Sequence, residues 1–172
     1  MRKRTYDLAM RTVLSSTTRG HRVLYRVSGG RLGRRFPGGT QVVWITALGR
    51  KSGQWRRTPL LSVGDPAGAR EAGQQPTGWV VAGSNAGQAK VPAWVFNARE
   101  SPEGFVEVDG SHWRARFEEV NGDERDELYG RLTQSWKGFE MYAEHAERYI
   151  PVFRVVLGEP VSPETARPAT PS

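Results

Sequence analysis

The chain of 172 residues contains no cysteine. That absence excludes disulfide bonds, thiolate metal ligands and a cysteine nucleophile, and it is typical of proteins from a reducing compartment. No apolar run approaches the roughly 20 residues that a membrane-spanning helix needs. The basic N-terminus also lacks the apolar stretch that a signal peptide requires. We therefore expect a cytoplasmic protein, most simply with one folded domain.

Several signatures of catalysis are missing as well. The histidines His21, His112 and His145 do not have the spacing of metal ligands, so we predict no metal site. His112 falls in a predicted hairpin turn, where its side chain should be solvated. The pair Lys51-Ser52 lacks the preceding glycine of a Walker A loop, and neither a G-x-G-x-x-G fingerprint nor a G-x-S-x-G elbow occurs. These absences exclude the common nucleotide-binding and hydrolase motifs.

Positive charge is plentiful, and it is unevenly placed along the chain, whose net charge is +7. Residues 1–36 hold ten Lys or Arg against one acidic residue, Asp7, which gives this segment +9. Aliphatic residues recur there near helical spacing, which predicts a basic helical segment that packs on the domain or lies on an anionic membrane. Residues 37–158 should form the folded domain, and the proline-rich residues 159–172 a disordered tail.

The apolar pattern of the remaining chain predicts an α+β protein. Strands are expected at residues 42–47, 57–63, 78–82, 105–108, 113–117 and 150–157, and helices at 93–99, from 121 onward with Leu128, Leu132 and Trp136 on one face, and at about 139–148. Asn121 with Glu124 resembles a capping box for the second of these helices. Because most connections are short, about six mainly antiparallel strands with flanking helices should form a small β-barrel.

A strongly basic turn lies between the first two strands. Its cations, hydroxyl and glycines are Arg50, Lys51, Arg56, Arg57, Ser52, Gly49 and Gly53. Glycines let backbone N–H groups approach an anion, and Lys and Arg add charge-assisted hydrogen bonds to phosphate or carboxylate. The turn is either an anion site or a solvated β-turn, and the segment alone favours neither.

A second polar loop follows the third strand. Ser84, Asn85 and Gly87 offer small polar groups there, Lys90 adds a cation, and Trp94 on the next helix offers a ring face. Two such loops at one rim of a barrel suit a ligand with an anionic tail and a planar ring. From the residues alone we expect an anion-tailed cofactor or a nucleotide.

Four motifs in one order carry a resemblance to a known family. They are Gly49-Arg50-Lys51-Ser52-Gly53 with Arg56 and Pro59-Leu60, then Ser84-Asn85-Ala86-Gly87 with Pro92-Ala93-Trp94, Asn97 and Pro102, then Trp136-Lys137-Gly138-Phe139-Glu140-Met141-Tyr142, and finally Ile150-Pro151-Val152. In this order the chain resembles the deazaflavin (coenzyme F420)-dependent nitroreductase family over about residues 20–157. The resemblance implies a split β-barrel of the FMN-binding type.

The resemblance also implies that reduced coenzyme F420 donates a hydride to an electron-poor acceptor, which is a quinone, an enone or a nitro compound. The basic hairpin would hold the phosphate and oligoglutamate tail of this cofactor, and the second loop and following helix would border its deazaflavin ring. The cofactor-binding residues implied in this way are Arg50, Lys51, Ser52, Arg56, Arg57, Thr58, Pro59, Leu60, Leu61, Ala82, Gly83, Ser84, Asn85, Lys90, Ala93, Trp94, Val95, Phe96, Asn97 and Phe139.

The acceptor would meet the aromatic residues Trp136, Phe139 and Tyr142, with Tyr142 as the catalytic proton donor. Val95 and Phe139 stand where the family or some of its members have tyrosine, which favours quinones and enones over nitro compounds. Core packing of the three aromatic side chains is the structural alternative, because their spacing is near-helical.

An alternative function shares the same features. A non-catalytic split barrel that binds flavin, F420 or haem, with a membrane-associating basic N-terminus, would carry a similar fold and charge distribution. For either function we predict a monomer or homodimer without a nucleic-acid partner. The predicted location is the cytoplasm, with peripheral contact of residues 1–36 to the inner face of the membrane as a further expectation.

Overall fold

The computed structural model describes residues 40–65 and 77–166. Within these ranges the chain forms strands β1 (Gln41–Leu48), β2 (Trp55–Gly64), β3 (Gly78–Ala82), β4 (Glu103–Val108), β5 (Ser111–Val120) and β6 (Val152–Pro160), and helices α1 (Ala93–Glu100), α2 (Gly122–Ser135) and α3 (Gly138–Ala146). A short 3-10 turn occupies Asn85–Gly87. The order of these elements is the predicted α+β order.

The strands close into a barrel in the order β1-β2-β3-β6-β5-β4, with β4 paired back to β1. Every neighbouring pair is antiparallel. The β4–β5 hairpin turns through Asp109 and Gly110, whose φ values of +51° and +82° suit a tight two-residue turn. The predicted split-barrel fold of mainly antiparallel strands is therefore confirmed.

Alternate strand residues point into the barrel and form one apolar cluster. Val43, Ile45 and Ala47 of β1 lie fully buried in it, and α1 adds Trp94 and Val95 to the same cluster. This alternation is what a strand with one buried face produces. Burial of each such large side chain stabilises the fold by about 1.5–3 kcal/mol, so the interior fixes α1 against the barrel.

Helices α2 and α3 pack in a second apolar cluster outside the barrel. Leu128 and Leu132 of α2 meet Val80 of β3 and Val152 of β6 there. Trp136, predicted on the same helical face, instead follows α2 as its C-cap and packs partly buried against this cluster. The cluster holds both helices beside the end of β3.

The predicted capping box at the start of α2 is wrong. Asn121 is the N-cap residue, but its side chain makes no capping hydrogen bond. The Glu124 carboxylate accepts hydrogen bonds from Arg154 of β6 instead, at 2.8 Å from Nη2. A long-range charged partner has therefore replaced the local backbone partner.

Several boundaries differ from the sequence prediction, and three of them have a clear structural reason or consequence. β5 is longer because it pairs with both β4 and β6. α3 ends at Ala146, since Glu147 adopts a left-handed conformation with φ of +48°. β6 continues to Pro160, two residues past the predicted end of the domain at residue 158, and Ala166 is buried.

The predicted N-terminal helical segment, residues 1–36, and the tail after residue 166 lie outside the described residues and stay predictions. Within the described ranges, no helix has the length and apolar character needed to span a membrane.

Candidate active site

Two adjoining pockets lie beside β2. The barrel pocket, about 320 Å³ in volume, is lined by Arg57, Thr58, Pro59, Leu60, Leu61, Ala82, Ser84, Asn85, Ala86, Pro92, Trp94, Phe139 and Tyr142. The basic pocket, about 380 Å³ in volume, is lined by Gly49, Arg50, Lys51, Ser52, Arg56, Arg57, Thr58, Ala93, Trp94 and Asn97. Arg57, Thr58 and Trp94 line both pockets. One elongated ligand could therefore occupy the two together.

The barrel pocket opens where β2 separates from β3. β2 pairs with β1 along its length, but with β3 only through Ser62–Gly64. Among the described strands, residues 58–61 thus lie beyond the register of β2 with β3. Along such an edge, alternate residues direct their backbone N–H and C=O groups away from the paired strand, and Pro59 offers only its C=O. A flat ligand can hydrogen-bond to them as a neighbouring strand would.

A tight local turn presents the cations of the basic pocket. The Gly49 N–H donates to the carbonyl of Gln54 at 2.8 Å, and the Gly53 N–H donates back to Gly49 at 2.7 Å. Gly53 has φ of +63°, a conformation that glycine adopts without steric cost. Arg50 and Lys51 at the tip are exposed, so their charges face the solvent beside the pocket.

Positive charge in the basic pocket is not balanced by acidic residues. Arg56 donates to the Gln54 side-chain oxygen at 2.9 Å, and Arg50 approaches the Asn97 side-chain oxygen at 3.5 Å, both neutral partners. No aspartate or glutamate is among the described residues that line this pocket. The pocket therefore attracts an anionic ligand such as a phosphate or carboxylate.

Asn97 fixes the hairpin tip to α1. This side chain is buried, and its oxygen accepts a hydrogen bond from the backbone N–H of Arg50 at 3.2 Å. The Arg50 guanidinium also lies over the ring of Phe96, 4.8 Å from the ring centroid. Asn97 lines the basic pocket, whereas Phe96 supports Arg50 from behind.

Arg57 differs from the other cations because a buried carboxylate partly neutralises it. Glu107 of β4 forms an ion pair with Arg57 and lies 3.1 Å from His112 Nε2. The guanidinium of Arg57 also lies 4.2 Å from the ring centroid of Trp44. His112 is buried in this group, so the prediction that it is solvated is wrong. The spacing of Arg57, Glu107 and His112 in the sequence does not indicate this contact, because the three residues come together only when the strands close into the barrel.

The second polar loop, residues 83–90, has an unusual backbone. Asn85, Ala86 and Gly87 all have positive φ, at +50°, +50° and +73°. An added Cβ at Gly87 would lie 3.1 Å from Cα of Tyr142, so this loop packs directly on α3. The Gly83 N–H anchors the loop start to Pro151 at 2.8 Å.

The aromatic side chains of the third motif form one cluster beside the barrel pocket. Trp136, Phe139 and Tyr142 meet edge to face, with centroids 5.5 to 6.0 Å apart. Phe139 is buried and Tyr142 is half-buried, and these two line the pocket. The Tyr129 hydroxyl donates to the Phe139 carbonyl at 2.7 Å and so fixes α3 from behind.

Few groups at the barrel pocket can exchange a proton. Arg57 and Tyr142 are the titratable side chains among its described lining residues. Arg57 stays protonated at any relevant pH and is paired with Glu107. The Tyr142 phenol and the hydroxyls of Thr58 and Ser84 are the O–H groups of the described lining side chains.

Most of the predicted cofactor-binding residues line one pocket or both. Those that do not are Gly83, Lys90, Val95 and Phe96, and Trp136 of the predicted acceptor set also lies outside the lining. Val95 points into the barrel interior with no exposed surface. Lys90 is exposed, and its carbonyl rather than its ammonium group meets the loop, at 2.9 Å from the Asn85 amide nitrogen.

Sequence reasoning missed several contributors to the site. Pro92 and Ala86 line the barrel pocket, which their adjacency to predicted residues could have suggested. Arg148 was missed for a different reason, because its contacts with the loop span about 60 positions of sequence. In the described part of the chain, no group of three His, Cys, Asp or Glu side chains is placed to hold a metal ion.

Known proteins resemble the chain in sequence and in fold. A family described as F420H(2)-dependent quinone reductase matches residues 17–158. An F420H(2)-dependent quinone reductase of Mycobacterium tuberculosis (strain ATCC 25618 / H37Rv) is 25% identical over 137 residues, which cover 77% of this chain and 84% of that protein.

Solved structures show the same barrel. The structure of an F420-H2 dependent reductase has a TM-score of 0.53 and 27% identity, and the match covers 66% of this chain and 92% of that one. A structure described as a domain-swapped dimer has a TM-score of 0.56 and 25% identity, over 84% of this chain and 98% of that one.

Proposed function

The chain belongs to the F420H(2)-dependent quinone reductase family, and on this premise we propose that the basic pocket and the barrel pocket together hold reduced coenzyme F420. The protein is an F420H2-dependent oxidoreductase, and reduced F420 supplies the hydride that passes to its acceptor. One observation carries the assignment of the pockets: the cationic wall joins the apolar pocket directly, through Arg57, Thr58 and Trp94.

The basic pocket holds the anionic tail of the cofactor. Arg50, Lys51 and Arg56 face a phosphate and glutamate carboxylates, and none of them has a carboxylate partner among the described residues. Charge-assisted hydrogen bonds of this kind are about twice as strong as neutral ones. Because the tip is exposed, a tail of variable length can extend into solvent beyond the pocket.

The barrel pocket holds the deazaflavin ring. Residues 58–61 of β2 border the ring on one side, Ala82, Ser84 and Asn85 on the other, and Trp94 forms the wall shared with the basic pocket. The unpaired edge of β2 offers backbone hydrogen bonds to the polar edge of the ring. These groups orient the ring within a largely apolar lining.

The acceptor is proposed to be a quinone that enters beside α3. Phe139 and Tyr142 border the pocket there with flat, apolar surface that suits a second ring. Val95 is buried in the barrel interior and contributes nothing to this surface. The lining therefore offers the acceptor a single phenol, which favours quinones and enones over nitro compounds.

Tyr142 is proposed to supply the proton. Hydride transfer to a quinone leaves an oxygen with phenolate character, and that oxygen must be stabilised and protonated. Tyr142 lines the pocket and carries the phenol of the aromatic cluster. Water can take part of this role, since the pocket is open where β2 leaves β3.

The domain-swapped dimer among the similar structures supports a homodimer for this chain as well.

The +9 charge of residues 1–36 supports peripheral contact with an anionic membrane, which would bring a lipid quinone close to a cytoplasmic enzyme. Sedimentation with anionic and neutral vesicles tests this contact, and equal partitioning onto both would contradict it.

The pocket assignment is tested by binding. Purified protein is titrated into oxidised F420 and, separately, into FMN, and fluorescence quenching gives the two dissociation constants. We expect clear preference for F420, since the basic pocket suits several anionic groups rather than one phosphate. A protein that binds FMN as tightly as F420 would contradict the assignment.

The acceptor is tested by turnover with reduced F420. Menaquinone analogues, enones and nitroaromatics are compared under the same conditions, and we expect the quinone to react fastest. The non-catalytic alternative is not favoured for a member of a reductase family. It would regain support only if F420 bound tightly and no acceptor of any of these classes were reduced.

A further inference from the structure

Arg148 holds the loop of residues 83–90 through its backbone. Its Nη2 donates to the carbonyls of Gly83 and Ser84, each at 3.0 Å, and its Nε donates to the carbonyl of Gln88 at 3.1 Å. The same Nη2 lies 3.4 Å from the carbonyl of Lys90. One guanidinium therefore bonds the start, the middle and the end of the loop.

The loop needs such support because its backbone is strained. Asn85 and Ala86 have φ of +50°, in the left-handed region that residues with a Cβ avoid. Short-range bonds within the loop also oppose this strain: the N–H of Gly87 donates to Ser84 at 3.0 Å, the N–H of Gln88 donates to Asn85 at 3.1 Å, and the Asn85 side-chain amide donates to the Lys90 carbonyl at 2.9 Å. A planar fork of five donors is suited to hold several carbonyls at once.

The carbonyl contacts also fix the direction of two amide groups. In a trans peptide the C=O and N–H point to opposite sides. Because Arg148 binds the carbonyls of Gly83 and Ser84, the N–H groups of Ser84 and Asn85 point away from Arg148. The backbone of Ser84 has right-handed helical dihedral angles, and Asn85 has positive φ. When such residues follow one another, their successive N–H groups converge and form a concave donor site for an anionic oxygen.

Both of these residues line the barrel pocket, whereas Arg148 does not. Arg148 is half-buried behind the loop, and burial lowers its pKa. Its contacts with the pocket run through the backbone of the loop.

We propose that Arg148 is a positioning residue that aims the backbone N–H groups of Ser84 and Asn85 at a ring oxygen of a ligand in the barrel pocket. This inference rests on the proposed binding of the F420 ring in that pocket. Arg148 thereby joins the ring-binding loop to α3, whose Tyr142 lies against Gly87.

The test compares two variants of Arg148 with a matched control. Arg148→Met removes the guanidinium but keeps apolar bulk, and Arg148→Lys keeps the charge without the fork. Arg125→Met is the control, because Arg125 is also largely buried and donates to one backbone carbonyl, that of Ile150 at 2.8 Å. Arg125 makes no contact with the loop among the described hydrogen bonds.

The first readout needs no ligand. Amide hydrogen exchange of Gly87 and Gln88 is measured in the cofactor-free proteins, and we expect at least 10-fold faster exchange in Arg148→Met and an intermediate rate in Arg148→Lys. Arg125→Met should leave these two rates unchanged. If the exchange rates of Gly87 and Gln88 stay the same in both Arg148 variants, the loop does not depend on Arg148 and the proposal fails.

The second readout is affinity for F420 and for its deazaflavin fragment without the phosphate and glutamates. Arg148→Met should weaken both by about 10-fold, since the loss of one to two hydrogen bonds at the ring is common to both ligands. A lower melting temperature with unchanged affinities would mean a purely structural role and overturn the proposal. Wild-type protein that binds neither ligand would refute the proposed cofactor site and this proposal with it, while the exchange rates would still report whether Arg148 holds the loop.

Discussion

The two ends of the site are built in different ways. At the basic end, the backbone–backbone hydrogen bonds of the exposed turn join residues at most five positions apart, and one longer-range bond, from the Arg50 N–H to Asn97, ties the tip to α1. At the ring end, the loop of residues 83–90 is held by Arg148 and Pro151, about 60 positions away, and packs on α3. The turn at the basic end is thus formed mainly by local hydrogen bonds, whereas the loop at the ring end depends mainly on distant residues.

This contrast has an energetic consequence. Exposed cations contribute little to folding, so their removal should change ligand affinity and leave stability almost unchanged. Contacts at the ring end are buried and strained, so changes there should alter stability together with function. The following variants test whether effects on ligand affinity and effects on stability separate in this way.

The largest effect is expected at the ring end, on the catalytic rate kcat. Tyr142→Phe removes the phenol but keeps the ring that packs on Trp136 and Phe139. We expect kcat with a quinone to fall by about 100-fold, the lower range for loss of a general acid, because water can replace part of the role. The dissociation constant for F420 should stay the same. Wild-type turnover with every acceptor would assign Tyr142 to packing.

The next effect is expected at the basic end. Lys51→Ala should weaken F420 binding by about 10- to 100-fold, the value of one charge-assisted hydrogen bond, without a change in melting temperature. The loss should shrink at high salt, since an exposed charge is screened. Arg131→Ala, which removes an exposed cation of α2 outside both pockets, is the control and should leave affinity unchanged.

A glycine pair separates backbone strain from close packing. Gly87 and Gly122 both have positive φ. An added Cβ at Gly87 would meet Tyr142, whereas an added Cβ at Gly122 would have no atom within 4 Å. Replacement by alanine should cost about 1 kcal/mol of unfolding free energy at Gly122. At Gly87 we expect a further 1–3 kcal/mol from the clash with α3, together with weaker F420 binding. If denaturant unfolding gives equal losses of unfolding free energy for the two variants, the loop can move away from α3 without an energetic cost and the expected clash is absent.

The smallest effect is expected behind the ring end. Tyr129→Phe removes the hydrogen bond to the Phe139 carbonyl and should cost about 1 kcal/mol of stability. Burial raises the pKa of Tyr129 to about 12, against about 10 in an unfolded chain.

The pH dependence follows from that raised pKa. The folded state prefers the neutral phenol, so its stabilising contribution is complete below about pH 10 and is lost as the pH rises through about 12. The difference in unfolding free energy between wild type and Tyr129→Phe should therefore shrink over this range. A difference that grew with pH would give the hydroxyl another role.

The same contrast explains what the sequence could predict. The basic hairpin was visible because strand, turn and cations are contiguous, and the antiparallel barrel was visible because its strands alternate and its connections are short. These signals come from residues close together in sequence, and the structure contains both the hairpin and the barrel. The prediction of the fold therefore needed no knowledge of distant contacts.

The parts that escaped prediction depend on distant residues. Glu107 and His112 meet Arg57 only when the barrel closes, so His112 was expected in solvent and is buried. Glu124 was expected to cap α2 and binds Arg154 of β6 instead. Val95 was expected beside the cofactor, but the course of α1 turns it into the barrel interior. In each case, tertiary packing supplied a partner that sequence spacing does not encode.

The most direct test of the account is a comparison of two ligands on two proteins. Dissociation constants are measured for F420 and for its deazaflavin fragment without phosphate and glutamates, on the wild type and on Lys51→Ala. If one cofactor spans both pockets, the wild type binds intact F420 at least 10-fold more tightly than the fragment, and Lys51→Ala reduces that difference without changing the affinity for the fragment. Equal affinity of the wild type for both ligands, or an equal loss for both in Lys51→Ala, would contradict the account.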